Sequence, residues 1–122
     1  MDNIYQTVGG DETFRRLVNA FYERVEQDPV LRSVFPADLA GGKERQFLFL
    51  TQYFGGPSHY NRLYGHPRLR MRHAPFTIGI KEAEAWLQHM LVAIDEVGIP
   101  EPARSEIRQY FERSAPFMMN QG

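Results

Sequence analysis

The chain contains no cysteine. That absence removes disulfides, thiolate zinc sites, iron–sulfur clusters and a haem attached covalently through C-x-x-C-H. Net charge is also missing: 14 Lys and Arg against 15 Asp and Glu leave −1 at pH 7 with His neutral. No broad field therefore draws the chain to nucleic acid or to an anionic membrane surface. No stretch approaches the roughly twenty apolar residues that a membrane span needs. Residues 1–5 do not begin the basic-then-apolar pattern of a secretory signal, so the expectation is a soluble cytoplasmic protein. There is no H-E-x-x-H, no G-x-S-x-G elbow and no phosphate-cradling glycine loop, and no carboxylate pair is set apart for acid–base work. Strict two-residue alternation is absent too, which leaves an all-α fold class.

What is present is a chain of 122 residues, one domain's worth (1–122), able to bury roughly two-thirds of the surface that its unfolded form exposes. Aromatic residues make up 13%, from nine Phe, six Tyr and one Trp. Such rings can fill a core or line a cavity for a flat apolar cofactor. Between Gly9-Gly10 and Pro29, the residues Phe14, Leu17, Val18, Phe21, Tyr22 and Val25 recur three and four apart, predicting an amphipathic helix with Asp11 as a candidate N-cap. A second helical run lies between Gly41-Gly42 and Gly55-Gly56-Pro57, striped by Phe47, Leu50 and Phe54. Ala83, Trp86, Leu87, Met90, Leu91, Ile94 and Val97 form the strongest periodic face, closed by Gly98 and Pro100. A last helix is predicted from about Pro102 through Ile107, Tyr110 and Phe111, with Pro116 kinking or ending it. The segment from Pro57 to Ile80 differs: it holds three Pro, three of the four His and the four arginines Arg62, Arg68, Arg70 and Arg72, with scattered apolar residues. An irregular stretch of this length is functional or disordered, and Tyr60, Leu63, Tyr64, Leu69, Met71 and Phe76 argue for order around something bound.

Three side chains stand out on otherwise apolar faces. Gln46 shares a face with Gly42, Phe49, Leu50 and Tyr53. It is either an edge residue reaching water or a buried carboxamide that needs partners, at a cost of about 1–3 kcal/mol if it lacks them. Tyr22 sits where a Phe would satisfy packing, and is either a core tyrosine bonded to a carbonyl or a donor with another task. Trp86 brings a single indole N–H on the third stripe, as core filler or as a donor. His73, between Arg72 and Ala74 in the irregular segment, reads on its own as a surface or capping residue; spacing names no metal for it.

In order along the chain stand Val8-Gly9-Gly10, Phe21-Tyr22-Glu23-Arg24-Val25, Phe35-Pro36, Gln52-Tyr53-Phe54-Gly55-Gly56-Pro57, Gly65-His66-Pro67-Arg68-Leu69-Arg70-Met71-Arg72-His73, Ala85-Trp86-Leu87 and Asn120. With these words the whole chain resembles the group II truncated globins, a family typical of bacteria. The resemblance implies a two-over-two helical sandwich in which the first long helix pairs with the Gly42–Phe54 helix and the last two pair with each other. It implies a non-covalent haem b with its iron bound by His73, for which neutral imidazole is suited. Tyr22, Trp86 and Gln46 then match the family's distal hydrogen-bonding positions, and they would stabilise a diatomic ligand that gains partial negative charge.

The resemblance places Phe35 against the haem and matches Arg45 and Arg72 to cationic positions facing its propionates, with Tyr60 and Met71 as further cofactor contacts. A distal histidine's usual position falls at Gly42. Pro116 departs from relatives, which keep a helix-compatible residue there. The implied function is binding of oxygen, carbon monoxide, nitric oxide or a similar ligand, as in oxygen transport. The alternative is a haem enzyme, peroxidase-like or detoxifying nitric oxide, with a reductase as partner. A haem-free helical interaction module also fits the bare periodicity. A monomer or a homodimer is expected, with neither nucleic acid nor membrane as partner.

Overall fold

The computed structural model of the chain describes residues 3–66 and 79–117, with backbone alone at Pro116 and Phe117. All regular structure among the described residues is helical: α1 (Ile4–Thr7), α2 (Gly10–Gln27), α3 (Pro29–Arg32), α4 (Ala40–Tyr53), α5 (His59–Tyr64), α6 (Ile80–Val97) and α7 (Ala103–Phe117). Helix α2 packs on α4, α6 packs on α7, and the α2–α6 contact lays one pair over the other. The result is the two-over-two sandwich.

The stripe read from sequence on α2 is the centre of the core. Phe14, Leu17, Val18, Phe21 and Val25 lose all solvent contact, as do Met90 and Ile94 on α6 and Ile107 on α7. Each such aliphatic or aromatic side chain contributes about 1.5–3 kcal/mol through burial. Helix α2 starts differently from the sequence expectation. Its N-cap is Gly9 at φ 107°, in the left-handed region where glycine alone is unstrained, and no side chain caps it. Asp11 lies within the first turn, and its carboxylate accepts the Tyr5 hydroxyl at 2.7 Å.

The next turn is made by Asp28, which ends α2 and caps α3: its Oδ1 accepts the Val30 N–H at 2.9 Å, and Pro29 follows at the first helical position. Helix α6 closes on Gly98 at φ 79°, as its sequence suggested. Helix α7 carries Pro116 in its last described turn.

Short α1 is tied across the α4–α5 corner. Asn3 and Gln6 form a reciprocal capping box. The Asn3 amide donates to the Gly55 carbonyl at 2.9 Å, and the Tyr5 N–H donates to the Phe54 carbonyl at 2.9 Å. At Gly55 and Gly56 this contact is so close that an added Cβ would stand 2.3 Å from the Asn3 amide and 2.8 Å from the Tyr5 ring. The irregular segment gains one element that its sequence did not announce: α5, whose Tyr60 is 3% exposed.

Candidate functional site

Between the two helix pairs lies a cavity of about 280 Å³. Tyr22 of α2 and Leu31 of α3 form one wall, and Val34, Phe35, Pro36, Asp38 and Leu39 of the following loop continue it. Helix α4 supplies Gly42, Arg45, Gln46, Phe49 and Leu50, and α5 supplies Tyr60. Helix α6 adds Glu82, Ala83 and Trp86, and α7 adds Tyr110, Phe111, Ser114 and Ala115. The six described residues singled out from sequence, Tyr22, Phe35, Arg45, Gln46, Tyr60 and Trp86, all line this one space. His73, Met71 and Arg72 lie outside the described residues.

Helical periodicity explains why they meet. Tyr22 follows Phe21 on the inward side of α2, Gln46 sits one turn before Phe49 and Leu50 on α4, and Trp86 sits one turn before Met90 on α6. Rings lock the arrangement. Tyr22 meets Phe35 edge-on at 5.8 Å between centroids and Phe21 at 5.4 Å; Trp86 lies 4.9 Å from Phe21 and 5.6 Å from Phe111. Phe49 meets Tyr60 at 5.8 Å across the α4–α5 corner.

Three polar side chains aim at this space. Gln46 Oε1 is buried and has no hydrogen-bond partner among the described residues. Neither the Tyr22 hydroxyl nor the Trp86 indole N–H has one among them. Burial pushes the Tyr22 phenol up to about 12, against the opposing pull of the Arg45 guanidinium, so at neutral pH it is a hydroxyl and a donor. Gly42 makes room for that hydroxyl: a Cβ at position 42 would stand 2.9 Å from Tyr22 Oη. Any side chain at this position would have to displace the Tyr22 phenol or the helix. Arg45 is exposed and lies at the rim.

No histidine lines the cavity among the described residues. His89 instead pairs with Asp28 at 2.7 Å, and His59 contacts Arg62. Sequence reasoning missed the whole α7 wall, Tyr110, Phe111, Ser114 and Ala115, although their spacing of one, three and four marks a single helical face. Glu82 and Asp38 at the rim carried no signal at all.

The family described as bacterial-like globin matches residues 3–120. Among characterised proteins, the chain is 44% identical to the group 2 truncated haemoglobin YjbI of Bacillus subtilis over 96% of this chain and 88% of that one. Among solved structures, a haemoglobin of the thermophilic phototrophic bacterium Chloroflexus aurantiacus superposes with TM-score 0.98 at 60% identity, covering 99% of this chain and 100% of that one. The group II truncated haemoglobin of Bacillus anthracis gives TM-score 0.95 at 39% identity over 99% and 93%. An oxygen-avid truncated haemoglobin of Bacillus subtilis gives 0.92 at 42% over 98% and 100%.

Proposed function

From the premise that this chain belongs to the bacterial-like globin family, with group II truncated haemoglobins among its structural neighbours, we propose that it binds oxygen, or a similar diatomic ligand, at a non-covalent haem b held by His73. Membership of the truncated haemoglobins implies haem-based binding of small ligands. The finer reading rests on one observation: an apolar cavity in which a buried Gln46 oxygen, the Tyr22 hydroxyl and the Trp86 N–H are all without partners among the described residues. Leaving a buried polar atom unmatched costs about 1–3 kcal/mol, and a fold sustains that where a bound group supplies the missing partner. The cavity's size, its aromatic lining and the bare Gly42 suit a flat apolar cofactor with a small ligand above it.

When bound, the haem supplies an iron with one coordination position open to a small ligand. The chain's residues do the rest. Tyr22 and Trp86 donate hydrogen bonds to a ligand that draws electron density towards itself. The Gln46 carboxamide can turn either its N–H₂ or its carbonyl inward. Phe35, Leu39 and Phe49 exclude water, so each donor acts in a low dielectric where its bond is strengthened. Arg45 and Arg72 would meet the propionates as cations, with Tyr60 and Met71 as further contacts to the cofactor. The oxygen avidity of the Bacillus subtilis relative supports oxygen as the ligand. Peroxide reduction or nitric oxide conversion with a reductase would use the same donors. A cytoplasmic location follows from the same reading.

Absorption spectra of purified, haem-reconstituted protein, with and without dithionite and carbon monoxide, test this. A Soret band that shifts on reduction and again with carbon monoxide is expected; its absence removes the haem reading. His73→Gly should lose the normal deoxy spectrum and regain it with added imidazole, whereas an unchanged spectrum would assign the iron to another residue.

A further inference from the structure

Asp28 does more than a cap requires. Its Oδ1 accepts the Val30 N–H at 2.9 Å and its carbonyl accepts the Arg32 N–H at 2.8 Å, so the start of α3 is fastened to this one residue. A Ser or Asn would cap as well. The second carboxylate oxygen, which capping leaves unused, accepts from His89 Nε2 at 2.7 Å, 61 positions away on α6. That contact joins two walls of the cavity. From Asp28 the chain runs through α3 into the loop, and Leu31, Val34 and Phe35 all line the space. The Arg32 guanidinium donates to the carbonyls of Pro36 at 2.9 Å and Ala37 at 2.7 Å, which stiffens helix and loop into one piece. Phe35 in turn meets the Tyr22 ring. On the other wall, His89 follows Trp86 by one turn of α6.

We propose that Asp28 and His89 are positioning residues that form a proton-sensitive latch across the cavity: protonation of His89 holds the wall at residues 31–35 more firmly to α6 and slows the release of what the cavity binds. The two side chains are 19% and 21% exposed, open enough to exchange protons with solvent and covered enough for their charges to count. Among side chains, imidazole is the one whose charge ordinarily changes between pH 5 and 8. When neutral it donates one hydrogen bond to the carboxylate. When charged it donates the same bond as a cation, and such charge-assisted bonds are roughly twice as strong. The contact is therefore firmest below the titration of the imidazole and weakens as pH rises through it.

The partner stays charged over the same range, because the donors on Asp28, His89 first, hold its carboxyl below the ordinary value. Other charges around the pair are already engaged or lie at its edge. Glu23 and Arg24 of α2 and Glu96 of α6 border a hollow of about 460 Å³ together with Asp28 and His89. Arg24 is bound to Glu96, and Arg108 of α7 to Asp95. Arg32 of α3 is turned to the loop carbonyls. Glu23 adds a further carboxylate at the edge of the hollow.

Amide hydrogen exchange of the purified full chain, followed by mass spectrometry between about pH 5.5 and 8 and divided at each pH by the intrinsic rate, reads the wall directly. Protection of residues 29–36 should rise roughly threefold from the alkaline to the acid end, the size that a partly exposed charge pair supplies. Residues 14–21 of the α2 core serve as reference and should not follow. His89→Gln, which keeps a neutral donor, should retain the alkaline protection and lose the rise; Asp28→Asn should lose the rise as well. A flat profile in the parent, the same rise in His89→Gln, or a rise shared by residues 14–21 overturns the latch. The effect on release rests on the haem reading above. In haem-reconstituted protein, carbon monoxide release should slow over the same pH range in the parent and not in His89→Gln; equal pH dependence in both overturns the coupling to the cavity. Absence of the Soret band removes the haem reading, and the exchange profile then decides the latch by itself.

Discussion

Two stretches of the same helix face opposite demands. Along α2, Phe14, Leu17, Val18, Phe21 and Val25 are sealed at 0% exposure and carry no polar atom beyond the backbone. Tyr22, next to Phe21 and almost as deeply buried at 5%, turns a hydroxyl into a cavity where it meets no partner among the described residues. The sealed face is a solved packing problem. The cavity face is an unsolved one, left open where α2, α4, α6 and α7 converge, and the polar atoms that line it are the sign of an occupant. On the sealed side, the Thr13 hydroxyl donates to the Val8 carbonyl and Asp28 joins His89.

The comparison breaks most violently at Phe14, which stacks between Tyr5 and Phe54. Phe14→Ala should cost about 3–5 kcal/mol of stability, read from the denaturant midpoint; a much smaller loss would mean that the sealed face is loosely packed. On the cavity side the order reverses, with ligand kinetics affected more than stability. Tyr22→Phe and Trp86→Phe should each raise the oxygen dissociation rate by roughly tenfold, equivalent to ~1.4 kcal/mol. Stopped-flow rates equal to the parent in both would discard the donor account.

Gln46→Leu sharpens the contrast, because it should stabilise the haem-free protein by about 1 kcal/mol by removing an unmatched buried atom. A thermal midpoint that falls instead would reveal a partner for the carboxamide. The smallest effect belongs to the matched pair. The His89 side chain, with help from the Val30 N–H, holds the Asp28 carboxyl below its ordinary value. A depressed carboxyl stabilises the fold above its unfolded pKa, near 3.8, and that contribution disappears as pH falls through the folded value. Asp28→Asn should therefore lower stability modestly at neutral pH and flatten the acid limb of an unfolding curve.

The helical stripes were legible because burial repeats every three to four residues, and α2, α4 and α6 lie where their stripes placed them. Tyr22, Gln46 and Trp86 were also visible, as polar atoms at positions that packing alone would give to Phe, Leu or Met. What periodicity cannot show is the residue opposite. Tyr110 looked like an ordinary member of a last amphipathic helix until α7 was folded against α6. Asp11 failed as a cap because Gly9 and Gly10 both adopt positive φ and turn the chain directly into α2, leaving the carboxylate for the Tyr5 hydroxyl. Helix α5 escaped notice because six residues are too few for a period to emerge. Pattern alone gave His73 little, and its role comes from the family.

Helix α1, only four residues long, could not persist in isolation, since a first turn fixes several dihedrals for one hydrogen bond. Held by Asn3 and Tyr5 against Gly55 and Gly56, it acts as a splint on the corner from which α5 and Tyr60 hang. Trimming the N-terminus past residue 3, an innocuous step for many small proteins, would here loosen a wall of the cavity from more than fifty residues away in sequence.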